Sequence, residues 1–300
     1  MKKNLILGIV LAVLIALAVI YQGPFQSWRQ KSKAPKNFFS KVDVDKMDKI
    51  EIKGGKIVLE KQGGEWKVAS DKKAYPASLS MINQVTSQLK AAQELNLDLV
   101  SASKDRKPSF QTDQTGTAVS FYQGKDKVLD ITIGKMTSDY SGSYVSQPDN
   151  DNTYRTGNVN LWSVFASSEE WRDLVIFKAD ASKAKKIRMQ FTDGQFTLEK
   201  KGDDWFSGKD KLNNDKVQKI TDLLTGMVAS EIPVQDFKPT GLDKNPLILQ
   251  ITGDGLDNTI MIGKDNGKGM VYAKRGDSDL IYLISKSDRD NLAKKPNTLK

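Results

Sequence analysis

The chain of 300 residues contains no cysteine and no histidine. Without cysteine, disulfide bonds, thiolate-bound zinc and a thiol nucleophile are all excluded. Without histidine, the side chain most often used as a general base and as a metal ligand is missing. The catalytic machinery of serine–histidine and cysteine–histidine hydrolases is therefore excluded. We predict no catalytic, cofactor-binding or metal-binding residues and no cofactor, and we expect the chain not to be an enzyme.

Phosphate-loop and calcium-loop motifs are also missing. Gly263-Lys264 lacks the spacing of a phosphate-binding loop and ends a predicted strand rather than opening a helix. Asp149–Thr153 begins like a calcium-binding loop, but Tyr154 stands where that loop needs glycine and Asn160 where it needs glutamate. We therefore interpret Asp149–Thr153 as the tip of a hairpin.

Positive charge is in excess, but it is not concentrated. The net charge is +9, and the basic residues are interspersed with acids along the chain. The run from Lys183 to Arg188 flanks the start of a predicted strand and has no recognition helix beside it. We interpret these charges as a solvated surface and expect no nucleic-acid partner. A basic excess of this size does permit attraction to an anionic polymer or small ligand.

One long apolar run is present, and it lies at the N-terminus. Residues 5–20 carry no polar side chain and follow Lys2 and Lys3. As a helix they would span about 24 Å, slightly less than a bilayer core of about 30 Å. We predict a membrane anchor over residues 1–21, with residues 5–21 in contact with the lipid bilayer, and a juxtamembrane linker over residues 22–42.

The orientation follows from the very short tail before the apolar run, which is typical of segments that translocate the rest of the chain. We expect a single-pass protein of the cell membrane whose body is extracytoplasmic. Ala16-Leu17-Ala18 also resembles a cleavage site for signal peptidase. A cleaved and secreted protein is therefore the alternative.

A motif occurs twice in the body of the chain. Leu59–Trp66 and Leu198–Trp205 share Leu-Glu-Lys at the start, a glycine four residues after the leucine, an acid before the tryptophan, and the tryptophan itself. Each copy is typical of a strand, a tight turn and a returning strand. We interpret both tryptophans as core anchors of a hairpin rather than ligand platforms. The repeat predicts a duplicated architecture.

The first copy lies in a predicted unit over residues 43–175. Gly54-Gly55 and Gly63-Gly64 are two-residue turn signals that join three strands into an antiparallel meander. Pro76 then opens a helix with one apolar face. The apolar positions of this helix are Ile82, Val85 and Leu89. The strands predicted after it are Leu95–Leu99, Val119–Phe121, Leu129–Ile133, Tyr144–Val145 and Thr153–Tyr154.

The second predicted unit, residues 176–300, repeats this order. Strands at Ile187–Phe191 and Phe196–Leu198 enclose a turn, and Asn214-Asp215 is a cap signal for a helix. Pro233 limits the strand around it to a sheet edge. The helix positions are Val217, Ile220, Leu223, Leu224 and Met227. The later strands are Leu247–Ile251, Thr259–Lys264, Val271–Ala273 and Ile281–Leu283.

We therefore predict an α+β fold. A transmembrane helix precedes two tandem, similar units of mostly antiparallel β-sheet, each with a packed helix. The predicted domains are residues 1–21, 22–42, 43–175 and 176–300. The segment that joins the two units begins at Trp171-Arg172-Asp173.

The body also resembles a known family through an ordered set of weak motifs. These are Arg106-Lys107, Phe110, Val119, Phe121, Ile133-Gly134-Lys135, Tyr144-Val145, Tyr154-Arg155 and Trp171-Arg172-Asp173. In this order, over roughly residues 43–290, the chain resembles domain-of-unknown-function family 4340 (DUF 4340), and the preceding anchor fits that family. The chain departs from the pattern at Thr153–Arg155, which is polar where an aliphatic strand is usual.

The resemblance implies an extracytoplasmic accessory protein encoded beside gliding-type ABC transporter subunits. It implies a permease or another envelope protein as partner, and it implies no catalytic residues. We thus expect a membrane-tethered, non-catalytic interaction module that assists an ABC-type transport or envelope system. The alternatives are an extracytoplasmic binding protein for an anionic polymer or small ligand, and a glycan hydrolase that relies on two carboxylates.

Overall fold

The computed structural model describes residues 37–69, 73–168, 170–244 and 246–300. The chain divides into two units, one that ends at Arg172 and one that begins at Asp173. The predicted anchor, residues 1–21, and most of the predicted linker lie outside the described residues. Among the helices that are described, none is both long enough and apolar enough to cross a membrane.

The first unit is built on a nine-stranded antiparallel sheet. Its strands are Lys49–Ile52 (β1), Ile57–Gln62 (β2), Glu65–Ala69 (β3), Tyr75–Pro76 (β4), Asp98–Ser101 (β5), Thr117–Gln123 (β6), Asp126–Met136 (β7), Ser143–Ser146 (β8) and Thr153–Arg155 (β9). The spatial order is β4-β3-β2-β1-β6-β7-β8-β9-β5. The first three strands form the predicted meander.

The two glycine pairs of this meander turn differently. Gln62 pairs with Glu65, so Gly63-Gly64 is the predicted two-residue turn. The prediction of a two-residue turn at Gly54-Gly55 was wrong, because Ile52 pairs with Ile57 and leaves a loop of residues 53–56. Lys53 as well as both glycines adopts positive φ there, so the left-handed bend extends over three residues.

The predicted helix of the first unit is confirmed at Leu79–Gln93 (α1). Ser78 caps its N-terminus by accepting a hydrogen bond from the Met81 N–H. Ile82, Val85 and Leu89 are all buried, as their spacing predicts. Two short helices follow, at Lys107–Phe110 (α2) and Leu161–Phe165 (α3).

The polar strand at Thr153–Arg155 lies inside the sheet rather than at its edge. Strand β9 pairs with β8 on one side and with β5 on the other, so β5 forms the edge. Thr153 is fully buried, and its hydroxyl lies 3.0 Å from the hydroxyl of Thr112, which is also buried. A matched pair of hydroxyl groups therefore takes the place of the expected aliphatic side chain.

The second unit is built on an eight-stranded antiparallel sheet. Its strands are Ala184–Phe191 (β10), Gly194–Lys201 (β11), Asp204–Ser207 (β12), Asp210–Lys211 (β13), Leu247–Gly253 (β14), Leu256–Asp265 (β15), Met270–Arg275 (β16) and Ile281–Ser285 (β17). The order β13-β12-β11-β10-β14-β15-β16-β17 matches the first eight positions of the other sheet. The two units are therefore similar in topology as well as in sequence.

In the described part of the second unit, the counterpart of the ninth strand is reduced to a single β-bridge. Where β5 completes the first sheet, Glu231 forms an isolated bridge with Leu283 of β17. The strand predicted around Pro233 is reduced to this bridge, because proline has no N–H to extend a ladder. Gln235 completes the cover of the edge by donating to the Ile281 carbonyl at 3.1 Å.

The helix of the second unit is Asn214–Gly226 (α4), and Lys286–Leu292 (α5) follows the last strand. The cap is Asn213, whose side chain accepts from the Lys216 N–H, so the predicted cap at Asn214-Asp215 was one residue late. Asn214 instead accepts a hydrogen bond from the Trp205 N–H at 3.1 Å. Trp205 and its counterpart Trp66 are buried, as predicted for core anchors.

Candidate functional site

The two units carry the same irregularity in the same pair of strands. Between β7 and β8, Gly134-Lys135 stands opposite Tyr144 alone, and between β15 and β16, Gly263-Lys264 stands opposite Tyr272 alone. Each is a β-bulge, in which two residues of one strand oppose one residue of its partner. Bulges redirect side chains and are common next to binding sites. The matching Gly-Lys motifs in the sequence therefore mark matching structures.

Glycine is required at each bulge because another backbone segment passes close by. A Cβ atom at Gly134 would lie 2.1 Å from the Phe110 carbonyl oxygen, and one at Gly263 would lie 2.2 Å from the Thr240 carbonyl oxygen. In the second unit the segment is also held by a hydrogen bond of 2.7 Å from the Lys264 N–H to Thr240. A crossing backbone segment therefore packs closely against each bulge.

The crossing segment turns sharply at the next residue in both units. Gln111 has φ of 55° and Gly241 has φ of 66°, so both have left-handed backbone. Glycine adopts this conformation freely, whereas glutamine does so at some conformational cost. The two units thus share one framework, a bulge and a left-handed turn, and each framework borders a pocket.

In the first unit this framework borders a pocket of about 420 Å³, which we name the tyrosine pocket. Its lining includes Gln111, Lys135, Tyr140, Tyr144 and Trp162. Tyr140 is 73% exposed and has φ of 60°, in the left-handed region. A large side chain that is both exposed and held in this region persists only where its surroundings fix it.

Hydrogen bonds fix the loop that carries Tyr140. The Tyr140 N–H donates to the Thr137 carbonyl at 2.9 Å, and Asn160 Nδ2 donates to the Tyr140 carbonyl at 3.4 Å. The Asp139 carboxylate accepts from the Thr137 hydroxyl at 2.5 Å and from the Ser141 N–H at 3.2 Å. These bonds, the one from Thr137 first, lower the pKa of Asp139 to about 2. The loop is therefore ordered before any ligand arrives.

The other two aromatic side chains of the tyrosine pocket are also held in place. The Tyr144 ring lies 4.8 Å, centroid to centroid, from the Phe110 ring. The backbone N–H of Trp162, in the first turn of α3, donates to the Ser143 hydroxyl at 2.9 Å, and the Trp162 side chain packs against the core of the unit. The pocket thus presents aromatic surface on fixed elements, and its other polar lining residues are Gln111, Lys135, Thr137 and Ser138.

In the second unit the framework borders a pocket of about 250 Å³, which we name the cationic pocket. Its lining includes Gly241, Lys244, Lys264, Arg289 and Phe191. Lys244, Lys264 and Arg289 are positively charged, and Phe191 is aromatic. The same framework therefore holds an aromatic pocket in one unit and a basic pocket in the other.

A cleft of about 630 Å³ lies beside α2 in the first unit. Its charged lining residues are Lys104, Asp105, Lys107 and Asp113. Two positive and two negative charges balance there. Lys107 is only 8% exposed, and its amine donates to the Gln147 carbonyl at 3.3 Å. This amine secures the chain beside the β8–β9 hairpin tip, so the cleft has a clear structural role.

The segment that begins like a calcium loop is occupied by its own hydrogen bonds. Asn150 Oδ1 accepts from the Asn152 N–H at 2.9 Å, and Asn152 Nδ2 donates to the Tyr154 hydroxyl at 2.9 Å. Thr153 and Tyr154 belong to β9, so the segment is the predicted hairpin tip. Over the described residues, no group of three or more acidic side chains is arranged to hold a metal ion.

Neither pocket is predicted from the sequence. Gly134-Lys135 and Gly263-Lys264 are read there as strand ends, and Tyr144 and Tyr272 as ordinary strand residues. The repeated spacing from Gly-Lys to tyrosine across a hairpin is the signal that could have revealed the paired bulges. Tyr140 gives no such signal, because tyrosine rarely adopts left-handed backbone and the Asn160 amide that donates to its carbonyl lies 20 residues away in sequence.

A protein-family model matches the chain. The model described as "Domain of unknown function (DUF4340)" matches residues 66–245 and also residues 209–300. Together the two matched segments cover well over half of the chain and include both pockets. No curated protein and no solved structure matches the chain.

Proposed function

The chain belongs to the Domain of unknown function (DUF4340) family, and we propose that it is a membrane-tethered, extracytoplasmic, non-catalytic interaction module. It serves as an auxiliary component of an ABC-type transport or envelope system. The observation that carries this proposal is Tyr140, a large exposed aromatic side chain on a loop that hydrogen bonds hold in a left-handed conformation. We place the partner contact at the tyrosine pocket.

The tyrosine pocket has the character of a contact site. Tyrosine and tryptophan are enriched among residues that dominate binding energy, because their rings bury a large area with few rotatable bonds. Tyr140, Tyr144 and Trp162 supply such rings. Since the loop around Tyr140 is ordered in advance, binding does not need to immobilise it, and less conformational entropy is lost.

The acid beside this pocket is unsuited to proton transfer. A general acid or base works best when its pKa is near the operating pH. Asp139 has its pKa lowered to about 2 by the Thr137 hydroxyl and by Ser141, and its Oδ1 atom accepts hydrogen bonds from the Thr137 hydroxyl and the Ser141 N–H. The low pKa of Asp139 therefore supports a binding role for this site rather than a catalytic one. Turnover of a glycan or ester by the purified full-length chain, abolished by Asp139→Asn, would contradict it.

The apolar residues 5–20 are the basis for the tether. Burial of this many aliphatic side chains in lipid is strongly favourable. A tether confines the body to the layer next to the membrane, which raises its effective concentration near an integral membrane partner. A permease in the same membrane therefore fits as the partner, in line with the family resemblance.

A photo-crosslinking experiment tests the partner contact. A photoreactive phenylalanine analogue replaces Tyr140 in the full-length chain in intact cells, and the same analogue replaces Phe237, a partly exposed aromatic of the second unit, as control. We expect mass spectrometry to identify an ABC permease or another integral envelope protein crosslinked from position 140 and not from position 237. Equal crosslinking from both positions, or none to an envelope protein, would contradict the proposal.

The orientation has a separate test. Protease is added to intact cells and to lysates that contain the full-length chain. We expect the body to be cut in both, once any outer barrier is permeabilised, and to be absent from the soluble fraction. Protection in intact spheroplasts would place the body in the cytosol, and release of the body into the medium would favour the cleaved form.

A second candidate function is a binding protein for an anionic ligand. The cationic pocket favours it, because three basic side chains surround one small space. The two functions are compatible, since the pockets lie in different units.

A further inference from the structure

The cationic pocket contains basic groups that lack acidic partners. Within the described parts of the chain, neither Lys244 nor Lys264 forms an ion pair. Elsewhere in the same unit, by contrast, Lys185 contacts Asp254 at 2.6 Å. Lysines without a nearby acid are ordinary on an open surface. Here both line the same half-open pocket of about 250 Å³, where their fields add.

Arg289 adds a third positive charge with an unused donor. Its Nε atom is buried and has no hydrogen-bond partner. Asp290 Oδ1 lies 2.7 Å from this Nε, but it is not aligned with the N–H bond, so the contact is an ion pair without a hydrogen bond. A buried donor without an acceptor is unfavourable and is normally satisfied by protein, water or ligand. Because this Nε is buried, an anion in the pocket would instead meet the other N–H groups of the guanidinium, since the Arg289 side chain is 32% exposed.

The path of Lys264 depends on a glycine found only in the second unit. A Cβ atom at Gly241 would lie 2.6 Å from Lys264 Cγ and 2.9 Å from Lys264 Cδ, so the lysine stem lies directly over this glycine. The equivalent residue in the first unit is Gln111, which has a Cβ. Lys135 therefore cannot follow the path that Lys264 takes. The second unit has the geometry that keeps the lysine at the pocket.

We propose that the cationic pocket binds a phosphate group. A phosphate carries a charge of about −1.5 to −2 near neutral pH and several acceptor oxygens, which suits three cationic donors better than a single carboxylate does. The pocket is too small for a nucleic-acid duplex. The phosphate belongs either to a free phosphate compound or to a lipid headgroup, and the two sources share the same chemistry. This inference is independent of the contact proposed at Tyr140.

The first test is a titration of the full-length chain in detergent with inorganic phosphate and with pyrophosphate. Broadening of the phosphorus NMR resonance of each ligand measures its binding. Lys264→Gln removes one cation, and Lys135→Gln makes the same change at the equivalent position of the first unit. We expect binding to weaken about tenfold or more in Lys264→Gln, as expected for loss of a charge-assisted hydrogen bond. We expect no change in Lys135→Gln.

A second variant tests the geometry without removing a charge. Gly241→Gln installs the residue that the first unit carries, at a backbone angle that Gln111 already adopts. All three cations remain, but the new Cβ displaces the Lys264 stem. We expect Gly241→Gln to weaken phosphate binding by a factor similar to that of Lys264→Gln. Circular dichroism confirms that each variant is folded.

Phosphorus NMR of the reconstituted chain separates the two sources of phosphate, because the proposed anchor holds the chain in the vesicle whatever the pocket binds. The full-length chain, reconstituted with phosphatidylcholine or with added phosphatidic acid, is compared with Lys244→Gln/Lys264→Gln at equal protein insertion. Broadening of the inorganic phosphate resonance in the parent chain and not in the double variant supports a soluble ligand, whereas such broadening of the phosphatidic acid resonance alone supports a headgroup. The proposal is overturned if neither source binds at millimolar concentration, or if the double variant binds as the parent does.

Discussion

At the scale of single residues, Gly134 and Gly263 show how closely the backbone packs on itself at the bulges. Each faces a carbonyl oxygen that a Cβ would approach to little more than 2 Å. Carbonyl oxygens are part of the main chain and cannot rotate away as a side chain can. The steric requirement for glycine therefore arises from a crossing segment rather than from backbone dihedrals.

We predict that Gly134→Ala destabilises the protein by roughly 1–3 kcal/mol, as overpacking of a rigid site does. The matched control is Gly226→Ala, because nothing lies within 4 Å of a Cβ at that position. Gly226 ends α4, so its replacement is expected to be neutral or stabilising by up to about 1 kcal/mol. Urea denaturation measures both. An equal loss of stability in the two variants would disprove the steric explanation.

The buried hydroxyl pair gives a second prediction at this scale. Thr112→Val leaves the Thr153 hydroxyl buried without its partner, so we expect a loss of about 1–3 kcal/mol in unfolding free energy. In Thr112→Val/Thr153→Val neither hydroxyl is left unpaired. The double variant should therefore lose less than the sum of the single variants in a double-mutant cycle. Simple additivity would show that the two groups do not interact.

At the scale of structural elements, the loop that carries Tyr140 depends on one ionised carboxylate. Asp139 has its pKa lowered from 3.8 to about 2, mainly by the Thr137 hydroxyl and then by Ser141. A lowered pKa in the folded state means that the charged form is favoured by folding. This contribution is present above pH 3.8 and is lost as the pH falls through about 2.

We therefore predict that the Ser141 amide, which donates to Asp139, reports a titration with a midpoint near pH 2 rather than 3.8. Proton–nitrogen NMR of the full-length chain across this range measures it. Asp139→Asn keeps an acceptor but has no charge to titrate, so its Ser141 resonance should stay constant. A midpoint near 3.8 in the parent chain would mean that the loop does not stabilise the carboxylate.

The elements also show which features a single sequence reveals. The α1 helix and the meander β1–β3 follow from local periodicity and turn glycines, and they were predicted. The place of β9 inside the sheet was not predicted, because Thr153 is satisfied by Thr112, a partner 41 residues away. The pockets were missed for the same reason. A bulge and a crossing segment come into contact only in the folded sheet. The alternation of apolar and polar residues along a strand does not indicate which distant segment will pack against it.

At the scale of the whole molecule, the described residues form two sheets that each complete their pairing within their own unit. Each sheet buries its own apolar face and has its own tryptophan anchor, Trp66 in one and Trp205 in the other. A substitution at a bulge should therefore act first on the core of its own unit. Duplication also allows one pocket to change its lining while the other retains its own.

Fluorine-labelled tryptophan makes this measurable, because Trp205 is the only tryptophan between residues 173 and 300. We predict that Gly263→Ala lowers the urea midpoint reported by Trp205 more than the midpoint reported by Trp66. Gly134→Ala should have the reverse effect. If both probes shift equally in both variants, the chain unfolds as one cooperative body and the two cores are not separable.

The bulges also determine which face of the sheet each following side chain points to. Up to Ile133 and Ile262, alternate residues of β7 and β15 are buried in the core. The extra residue at each bulge reverses which side the following residues face. Loss of a single residue here would undo that reversal and exchange inside for outside at the last residue of each strand, Met136 or Asp265. A one-residue deletion should thus be more harmful than any single replacement, and both copies share the constraint.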